Sequence, residues 1–330
     1  MNNPTPETLH IATRGSALAL AQANRVLAEC RAAFPELAFA LKIIKTTGDK
    51  LQTAALSKEG ENLPKGLFTK ELEVALLNGE ADLAVHSLKD LPTELPDGLK
   101  LGAVGERADV RDVLLYRAAG ASAGRGFAPG LQLKDLPVGA TIATSSTRRK
   151  AQLLDRRPDL NVVEIRGNVG TRMQKLADQP ELDGTILAAA GLGRLKFSIG
   201  ADSRITGEGV PAGILASILD LDVMLPCVGQ GAVGLEIRAQ DPRAARICAG
   251  LNHAATFSCV TAERAFLAAM GGGCQSPVAA YAHLVGADVH LRAVSYREIM
   301  VRRGQGIRPV ADAAGLGREL ADKLCPPATA

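Results

Sequence analysis

Residues 9–46, LHIATRGSALALAQANRVLAECRAAFPELAFALKIIKT, show the pattern of secondary structure most clearly. Leu9 to Thr13 is predicted as a strand, a Gly-Ser turn follows, and an Ala- and Leu-rich helix runs from about Ser16 to Phe34. Leu37 to Thr46 is predicted as a second strand. Strands and helices in this alternation form βαβ units, which build a parallel or mixed sheet.

The alternation continues along the chain. Thr69 to Asn78 is predicted as a helix capped by Thr69, and Leu83 to His86 as a short buried strand that runs into Ser87-Leu88-Lys89-Asp90. After the Gly- and Ala-rich segment Ala118 to Gly130, strands and helices alternate again, at Thr141–Thr144, Ser146–Arg156, Asn161–Ile165, Asn168–Ala177 and Gly184–Ala188. Two α/β halves in tandem enclose a cleft near the carboxyl ends of their strands.

The last quarter of the chain has a different order of elements. Two helices come first, three strands follow, and a final helix ends near Leu324; the predicted ranges are Arg243–Leu251, Cys259–Met270, Val278–His283, Asp288–Val294 and Glu298–Arg303. Strands grouped between helices indicate a small α+β third domain.

Composition excludes several classes of protein. The chain has 330 residues, 47% hydrophobic and 22% charged, which suits a globular protein of two or three domains. Aromatic residues make up 3% with no Trp, which argues against a base-stacking surface. A net charge of +3 is far from the footprint of a general nucleic-acid binder. Positive charge that matters must therefore be local.

Export, membrane and metal signals are missing from the sequence. Met1 to His10 lacks the basic and apolar regions of a signal peptide, and no run reaches the roughly 20 apolar residues of a membrane span. We therefore expect a cytoplasmic protein. Six cysteines occur without a C-x-x-C pair, which predicts no metal site and no disulfide framework.

Basic and hydroxyl residues cluster where predicted strands meet helices. Such positions combine helix N-termini with guanidinium groups, which suits carboxylate or phosphate ligands. A single cluster would more often be a solvated helix start, but three at strand ends on successive lobes favour a shared anionic ligand. The residues are Arg14, Ser16, Thr144, Ser145, Ser146, Arg148, Arg149, Arg166, Asn168 and Arg172, with Lys89 and Arg194 as further candidates. The pairs Arg156-Arg157 and Arg302-Arg303 are instead expected on solvated faces.

Asp90 and Cys274 are the candidates for chemistry. Asp90 ends a buried strand in a turn closed by Pro92, so it is either a turn cap or a carboxylate at the cleft floor that handles protons. His86 is predicted to be a satisfied strand-end histidine. Cys274 follows three glycines in GGGCQSP, where it is either a free thiol in a loop or a point of covalent attachment.

The match to G-x-G-x-x-G at Gly229–Gly234 is misleading. A dinucleotide site needs a helix after the glycines, whereas Leu235-Glu236-Ile237 is strand-like. The glycines are predicted to form a tight crossing between domains.

Taken together, these segments resemble the porphobilinogen deaminase (hydroxymethylbilane synthase) family. The matching stretches run in family order over nearly the whole chain: Ile11–Ser16, Lys65–Glu73, Ala81–Asp90, Thr144–Arg149, Leu160–Arg172, Val228–Gly234 and Gly273-Cys274. The resemblance implies a transferase that joins four porphobilinogen molecules head to tail with release of ammonia, giving the linear tetrapyrrole hydroxymethylbilane for porphyrin and haem biosynthesis.

The resemblance also implies the site. Asp90 would be the catalytic carboxylate and Cys274 would carry a covalent dipyrromethane cofactor as primer. The other implied cofactor-binding residues are Lys89, Thr144, Ser145, Ser146, Arg148, Arg149 and Arg172. The implied substrate-binding residues are Arg14, Ser16, Ser87, Arg149, Arg166, Gly167, Asn168, Arg172 and Arg194. Every pyrrole brings two carboxylates, which explains an arginine-lined cleft.

The expected fold is α/β: two periplasmic-binding-protein-like lobes around a cleft plus a small α+β C-terminal domain. The expected limits are residues 1–106 with 230–248, residues 107–229, and residues 249–330. We expect a monomer with neither a nucleic-acid nor a membrane partner. Lys58 as a cleft contact and the extra residues Ile199 to Met224 depart from the family pattern.

Two hypotheses from other classes compete with the enzyme. A two-lobed carrier of small carboxylates would share the lobes and the arginines, but not Cys274 or the third domain. A sequence-specific nucleic-acid protein using the Arg-Arg turns is disfavoured by the near-neutral charge.

Overall fold

The computed structural model describes residues 8–48, 66–120, 124–273, 276–298 and 300–325. The strands in these ranges are β1 (Leu9–Arg14), β2 (Phe39–Ile44), β3 (Leu83–Ser87), β4 (Leu99–Val104), β5 (Asp112–Arg117), β6 (Thr141–Ala143), β7 (Asn161–Val163), β8 (Gly184–Ala188), β9 (Ser198–Ile199), β10 (Ile205–Thr206), β11 (Ile214–Ile218), β12 (Val233–Arg238), β13 (Val278–Val285), β14 (Asp288–Ser295) and β15 (Arg302–Pro309). The helices are α1 (Ala17–Ala33), α2 (Lys70–Leu77), α3 (Thr147–Arg156), α4 (Val169–Asp178), α5 (Ala189–Arg194), α6 (Pro242–Leu251), α7 (Ala254–Ala269) and α8 (Ala313–Leu324).

The first lobe is built on a five-stranded mixed sheet with the order β2-β1-β3-β12-β4. Strand β1 runs parallel to β2 and β3, whereas β12 is antiparallel to both of its neighbours. The second lobe repeats this plan in the order β11-β5-β8-β6-β7, with β6 parallel to β7 and β8. The predicted α/β architecture with two sheet-bearing lobes is therefore confirmed.

Burial in the first lobe follows the sequence pattern. On α1 the buried residues Ala19, Ala23, Val26 and Cys30 recur every three or four positions, so they form one stripe against the sheet. Ser16 caps the helix, because its hydroxyl accepts a hydrogen bond from the amide of Ala19 at 3.3 Å. The helix N-terminus is thereby fixed at the carboxyl end of β1.

The chain crosses between the lobes twice, at residues 105–111 and 219–232. Gly229 and Gly231 have φ values of +71° and +85°, and a Cβ on Gly231 would lie 2.6 Å from the carbonyl oxygen of Ala108. Only glycine fits such a close crossing. Strand β12 follows directly, which confirms the strand predicted at Leu235-Glu236-Ile237.

The third sheet has the antiparallel order β13-β14-β15 and packs its inner face on α7 and α8. Strand β15 lies later than the predicted Glu298–Arg303, because its register pairs Arg302 with Ser295 and Pro309 with Asp288. Its Gly304 is a poor strand former, but a Cβ there would lie 2.9 Å from Leu320 of α8. Packing therefore overrides propensity in this strand.

Other boundaries differ from the predictions at single sites. Helix α7 begins at Ala254 rather than Cys259, because the imidazole of His253 acts as its cap. The side chain of Thr69 makes no capping hydrogen bond to α2. Arg157 does not lie on a solvated face: its side chain is 17% exposed, is paired with Asp159, and donates to carbonyl oxygens of the second lobe. None of the helices in the described ranges is long and apolar enough to cross a membrane.

Candidate active site

A small cavity of about 50 Å³ lies where β1 and β3 end in the first lobe. Its polar lining includes Arg14, Ser16, Ser87 and Asp90, all of them predicted site residues. The guanidinium of Arg14 lies over the ring of Phe68, 4.2 Å from its centroid, which holds the positive charge against the cavity wall. The parallel strand ends thus bring together side chains that are up to 76 residues apart in the sequence.

Gln22 of α1 belongs to this cavity and was missed by the sequence analysis. Its amide nitrogen donates to the hydroxyl of Ser87 at 2.9 Å, and its side chain is buried. Gln22 also lines a second, larger cavity. A polar residue on the buried stripe of an amphipathic helix was the available signal.

His86 lies in the same wall and is satisfied, as predicted. Its Nε2 is 2.9 Å from the carboxylate of Glu236, and both side chains are buried. Glu73 lies close to this pair: burial raises the pKa of Glu73, and the negative charge of Glu236 adds to that shift. This group anchors β3 to β12 beneath the cavity.

Lys89 and Asp90 occupy a short 3₁₀ turn after β3. Burial lowers the pKa of Lys89, the neighbouring carboxylate of Asp90 opposes that shift, and the charge of Arg149 adds to it. The charge of Asp90 thus acts on Lys89 of its own lobe and on Arg194 of the second lobe.

The second lobe presents two buried arginines at the start of α3. Arg148 lies 2.8 Å from one carboxylate oxygen of Asp112 and Arg149 lies 2.7 Å from the other. Although burial opposes it, the two guanidinium groups hold the pKa of Asp112 well below its usual range. Gln230, from the second crossing, donates to Asp112 at 3.0 Å. Asp112 thus fixes two predicted site residues, Arg148 and Arg149, although it was itself not predicted from the sequence.

Two further arginines carry charge that the protein compensates poorly. Burial and the like charge of Arg149 lower the pKa of Arg172 to about 10. Burial and Arg25 lower the pKa of Arg194 to about 10, with Asp90 opposing the shift. Each is held by a carbonyl, Arg172 by Gly167 at 2.8 Å and Arg194 by Gly231 at 2.6 Å. An anion bound beside them would relieve this penalty.

Arg194 lines the second cavity, of about 420 Å³, between the lobes. Its walls come from α1, the first crossing and α5. Because Gln22 lines both cavities and the charge of Asp90 acts on Arg194, the two compartments adjoin across the cleft.

The remaining predicted residues are two helix caps, an exposed arginine, and three residues whose contacts or conformation belong to the local backbone. Ser146 caps α3 at 3.4 Å and Asn168 caps α4 at 2.9 Å. Ser145 both accepts from and donates to the backbone of Ile165, so its hydroxyl is occupied by the fold. Arg166 is 56% exposed and lies 3.3 Å from Glu164. Thr144 accepts from the amide of Ser146, and Gly167 has a φ of +121°.

Cys274 and Lys58 lie outside the described residues. The other cysteines are Cys30, Cys248 and Cys259, which are buried, Cys325, which is exposed, and Cys227. In the described part of the chain, no group of three or more His, Cys, Asp or Glu could hold a metal ion.

Comparison with protein families shows the family to which the chain belongs. Residues 9–246 match the model described as "Porphobilinogen deaminase, dipyromethane cofactor binding domain", and residues 257–325 match "Porphobilinogen deaminase, C-terminal domain". The chain belongs to the porphobilinogen deaminase family. It is accordingly an enzyme of the transferase class, in porphyrin biosynthesis, with the family's dipyrromethane-binding domain.

Curated relatives agree over most of the chain. The porphobilinogen deaminase of Pelobacter propionicus is 44% identical over 323 residues, 97% of this chain and 94% of the relative. That of Syntrophomonas wolfei is 46% identical over 286 residues, 87% of this chain and 84% of the relative.

Solved structures resemble the lobes only loosely. The BenM effector-binding domain with benzoate is 15% identical and has a TM-score of 0.40, covering 75% of this chain and 91% of that one. HinK, a LysR-family transcriptional regulator from Pseudomonas aeruginosa, is 14% identical with a TM-score of 0.43, covering 76% and 70%. The membership in the porphobilinogen deaminase family does not depend on them.

The site fits the cofactor of this family. Dipyrromethane carries carboxylate side chains, and the cleft offers Lys89, Arg172 and Arg194 with an excess of positive charge. Among the described residues, nothing accepts a hydrogen bond from the buried Nε atoms of Arg148 and Arg149. An acidic ligand suits this set of donors far better than a neutral one.

Proposed function

We propose that this chain is a cytoplasmic, monomeric hydroxymethylbilane synthase, which condenses four porphobilinogen molecules head to tail and releases one ammonia at each step. The proposed domains are residues 1–106 with 230–248, residues 107–229, and residues 249–330. Porphobilinogen is the proposed partner, with no nucleic acid and no membrane involved. Family membership and the two-lobed cleft support this proposal.

One observation carries the proposal: the Asp90 carboxylate lines a cavity together with Arg14, Ser16 and Ser87, and its charge acts on Arg194 of the opposite lobe. A carrier of carboxylates needs the cations but has no use for a carboxylate among them, since it would repel the ligand. An enzyme that generates positive charge on a pyrrole does need it.

The proposed role of each residue follows from its position in the cleft. Arg14, Ser16 and Ser87 bind the carboxylates of the incoming porphobilinogen, because they line the cavity beside Asp90. Lys89 and Arg149 face the same space from the two lobes and hold the side chains of the bound chain. Arg194, in the adjoining cavity, holds carboxylates of the lengthening product. The bound dipyrromethane supplies a free pyrrole α-carbon that primes the reaction.

Asp90 acts on the reacting pyrrole. The C–N bond of the protonated aminomethyl group breaks, ammonia leaves, and the Asp90 carboxylate stabilises the remaining positive charge by accepting the pyrrole N–H. The new C–C bond would be made to the free α-carbon that the bound dipyrromethane supplies. Asp90 takes the proton which that carbon loses. Movement of the lobes about the crossings at Gly229 and Gly231 makes room for the longer chain.

Intact mass spectrometry tests the proposal. The purified wild type should be heavier than the polypeptide by the dipyrromethane unit, and porphobilinogen should add a ladder of single pyrrole units. Cys274→Ala should have the polypeptide mass alone. Cys325→Ala is the matched control, because this thiol is exposed and remote in sequence, and it should keep the extra mass.

Two outcomes would overturn the proposal. A wild type at the bare polypeptide mass, before and after addition of porphobilinogen, would favour the carboxylate carrier. Extra mass that persists in Cys274→Ala would move the attachment to another residue.

A further inference from the structure

The outer face of the third sheet is tied to the second lobe by charged contacts. Arg292 of β14 lies 2.6 Å from the carboxylate of Asp222, and Arg303 of β15 pairs with Asp155 at the end of α3. Tyr296, between these strands, donates its hydroxyl hydrogen to Asp155 at 3.2 Å. We call these five residues the latch.

Asp155 is the centre of the latch. Its side chain is 19% exposed, whereas that of Arg303 is 55% exposed, so the carboxylate is the more enclosed partner. Burial and the charge of Asp155 raise the pKa of Tyr296 to about 12, so its hydroxyl remains a donor at neutral pH. A phenol and a guanidinium that share one carboxylate fix its orientation more firmly than a single surface pair would.

Tyr296 of the latch and the next residue, Arg297, contact residues on either side of Cys274 in the sequence. The amide of Tyr296 donates to the carbonyl of Pro277 at 3.0 Å. The guanidinium of Arg297 donates to the carbonyl of Met270. Met270 and Pro277 precede and follow Cys274 by four and three residues in the chain. The latch residue Tyr296 therefore contacts the second lobe with its side chain and Pro277, three residues after Cys274 in the sequence, with its backbone amide.

The other end of α3 faces the cleft. Arg148 and Gln152 both bind the carbonyl of Leu225, at 2.6 Å and 2.9 Å. Positions 148, 152 and 155 are spaced by four and three residues, which places them on one face of the helix. A single rigid helix thus connects the buried arginines with the latch.

We infer that Asp155 and Tyr296 are positioning residues for the reaction: they dock the third domain on α3, so that Met270 and Pro277, which flank Cys274 in the sequence, keep a fixed position relative to the arginines at the start of that helix. This inference rests on the proposed function, since it takes Cys274 as the attachment point. The latch joins the second lobe to the third domain, whereas Arg14, Ser16 and Ser87 line a cavity of the first lobe, so loss of the latch should change turnover and cofactor loading but not substrate affinity.

The test compares Asp155→Ala and Tyr296→Phe with Asp159→Ala. Asp159 is the matched control, because it forms an Arg–Asp pair beside the same end of α3, but with Arg157 of its own lobe. Three quantities are measured: the fraction of chains carrying dipyrromethane by intact mass as apoprotein is loaded with porphobilinogen, kcat and KM of the loaded enzyme, and Tm.

Both latch variants should load cofactor more slowly than the control and lose about tenfold to about a hundredfold in kcat, the range expected for a displacement of about 1 Å, with KM close to that of the wild type. The charge-swapped pair Asp222→Arg with Arg292→Asp should recover most of what Asp222→Arg alone loses. A lower Tm with unchanged loading and kcat would overturn the inference, since it would make the latch merely structural. Equal losses in Asp159→Ala would overturn it as well.

The same measurements distinguish failure of the proposed function from failure of the latch inference. If the wild type itself carries no added mass, Cys274 attachment is wrong. If the wild type is loaded and the latch variants match it in loading and kcat, only the latch inference is wrong.

Discussion

The two lobes share one topology but use their strand ends in different ways. In the first lobe, β1 and β3 end in side chains that line an open cavity, with Asp90 among them. In the second lobe, Arg148 and Arg149 follow β6 but are buried and paired with Asp112. The first lobe thus offers groups to a ligand directly, whereas the second offers positive charge that the fold has already fixed.

The difference assigns separate tasks to the lobes. A buried guanidinium that is held by a carboxylate and by carbonyls cannot reorganise when a ligand binds, so it acts as a preorganised field. Arg149 is held in this way by Asp112 and by the carbonyl of Ile186 at 2.8 Å. The groups around Asp90 must instead exchange one substrate for the next, which requires access. Chemistry is therefore assigned to the first lobe and charge compensation to the second.

The variant Asp90→Asn tests whether the first lobe carries the chemistry, and it has the largest expected effect. The variant keeps the size of the side chain but can neither stabilise a cation nor take a proton. We expect kcat to fall by about 10²-fold to about 10⁴-fold, with Tm and the pyrrole-bearing mass close to those of the wild type. Steady-state kinetics on cofactor-loaded protein measure this. Turnover near the wild-type rate would remove Asp90 from the mechanism.

Asp112→Asn tests the second lobe. It should destabilise the protein by about 3 kcal/mol or more, since it leaves two buried guanidinium groups without their counter-charge. Asp109→Asn is the control, because Asp109 forms an exposed pair with Arg111 that should contribute about 1 kcal/mol or less. Chemical denaturation measures both. Equal stability of the two variants would contradict a preorganised pair of arginines.

The same carboxylate predicts a pH dependence. Because the pKa of Asp112 is lower in the folded protein than its unfolded value of about 3.9, its contribution to stability is fully present above that value and is lost as the pH falls through the folded pKa. The difference in unfolding free energy between the wild type and Asp112→Asn should therefore be constant from neutral pH down to about pH 5 and shrink below about pH 4. A difference that grows on acidification would contradict this sign.

The first lobe could be predicted from sequence in more detail than the second. The signals at Ser16 and Asp90 are local: a cap before an apolar helix, and a carboxylate directly after a buried strand. Asp112 had no such signal, because its partner Arg149 lies 37 residues away and the pair forms only when β5 and α3 meet. Long-range pairing of this kind leaves no local trace in a single sequence.

The unpredicted strands have a related explanation. Strands β4, β5, β9, β10 and β11 were not predicted from the sequence, and β11 falls within the segment Ile199 to Met224, which was described only as extra residues. It forms the edge of the second sheet by antiparallel pairing with β5. An antiparallel edge strand has no helix after it, so the βαβ alternation that revealed the other strands could not indicate it.

Substitution of the helix caps Ser16 and Ser146 should have smaller effects, and these should differ between the two lobes. Ser16→Ala and Ser146→Ala each remove one capping hydrogen bond, so each should cost about 1 kcal/mol of stability. Only Ser16 also lines the cavity beside Asp90, so only Ser16→Ala should raise KM for porphobilinogen. Thermal unfolding and initial rates measure the two effects. A raised KM in Ser146→Ala would show that substrate contacts extend to the second lobe's cap.

The smallest expected effect concerns Arg166, which is exposed, unlike the buried Arg148 and Arg149 of the same lobe. Its side chain is 56% exposed and its pair with Glu164 at 3.3 Å is a surface contact, so Arg166→Gln should leave the unfolding free energy within about 0.5 kcal/mol of the wild type. If Arg166 binds a carboxylate at the rim, KM should rise about threefold at low salt, and the difference should vanish near 1 M salt, where the screening length is about 3 Å. Arg172→Gln should differ in kind, because Arg172 is partly buried beside Arg149 and salt cannot screen it. An unchanged KM in Arg166→Gln at low salt would place the boundary of the substrate site at Arg172.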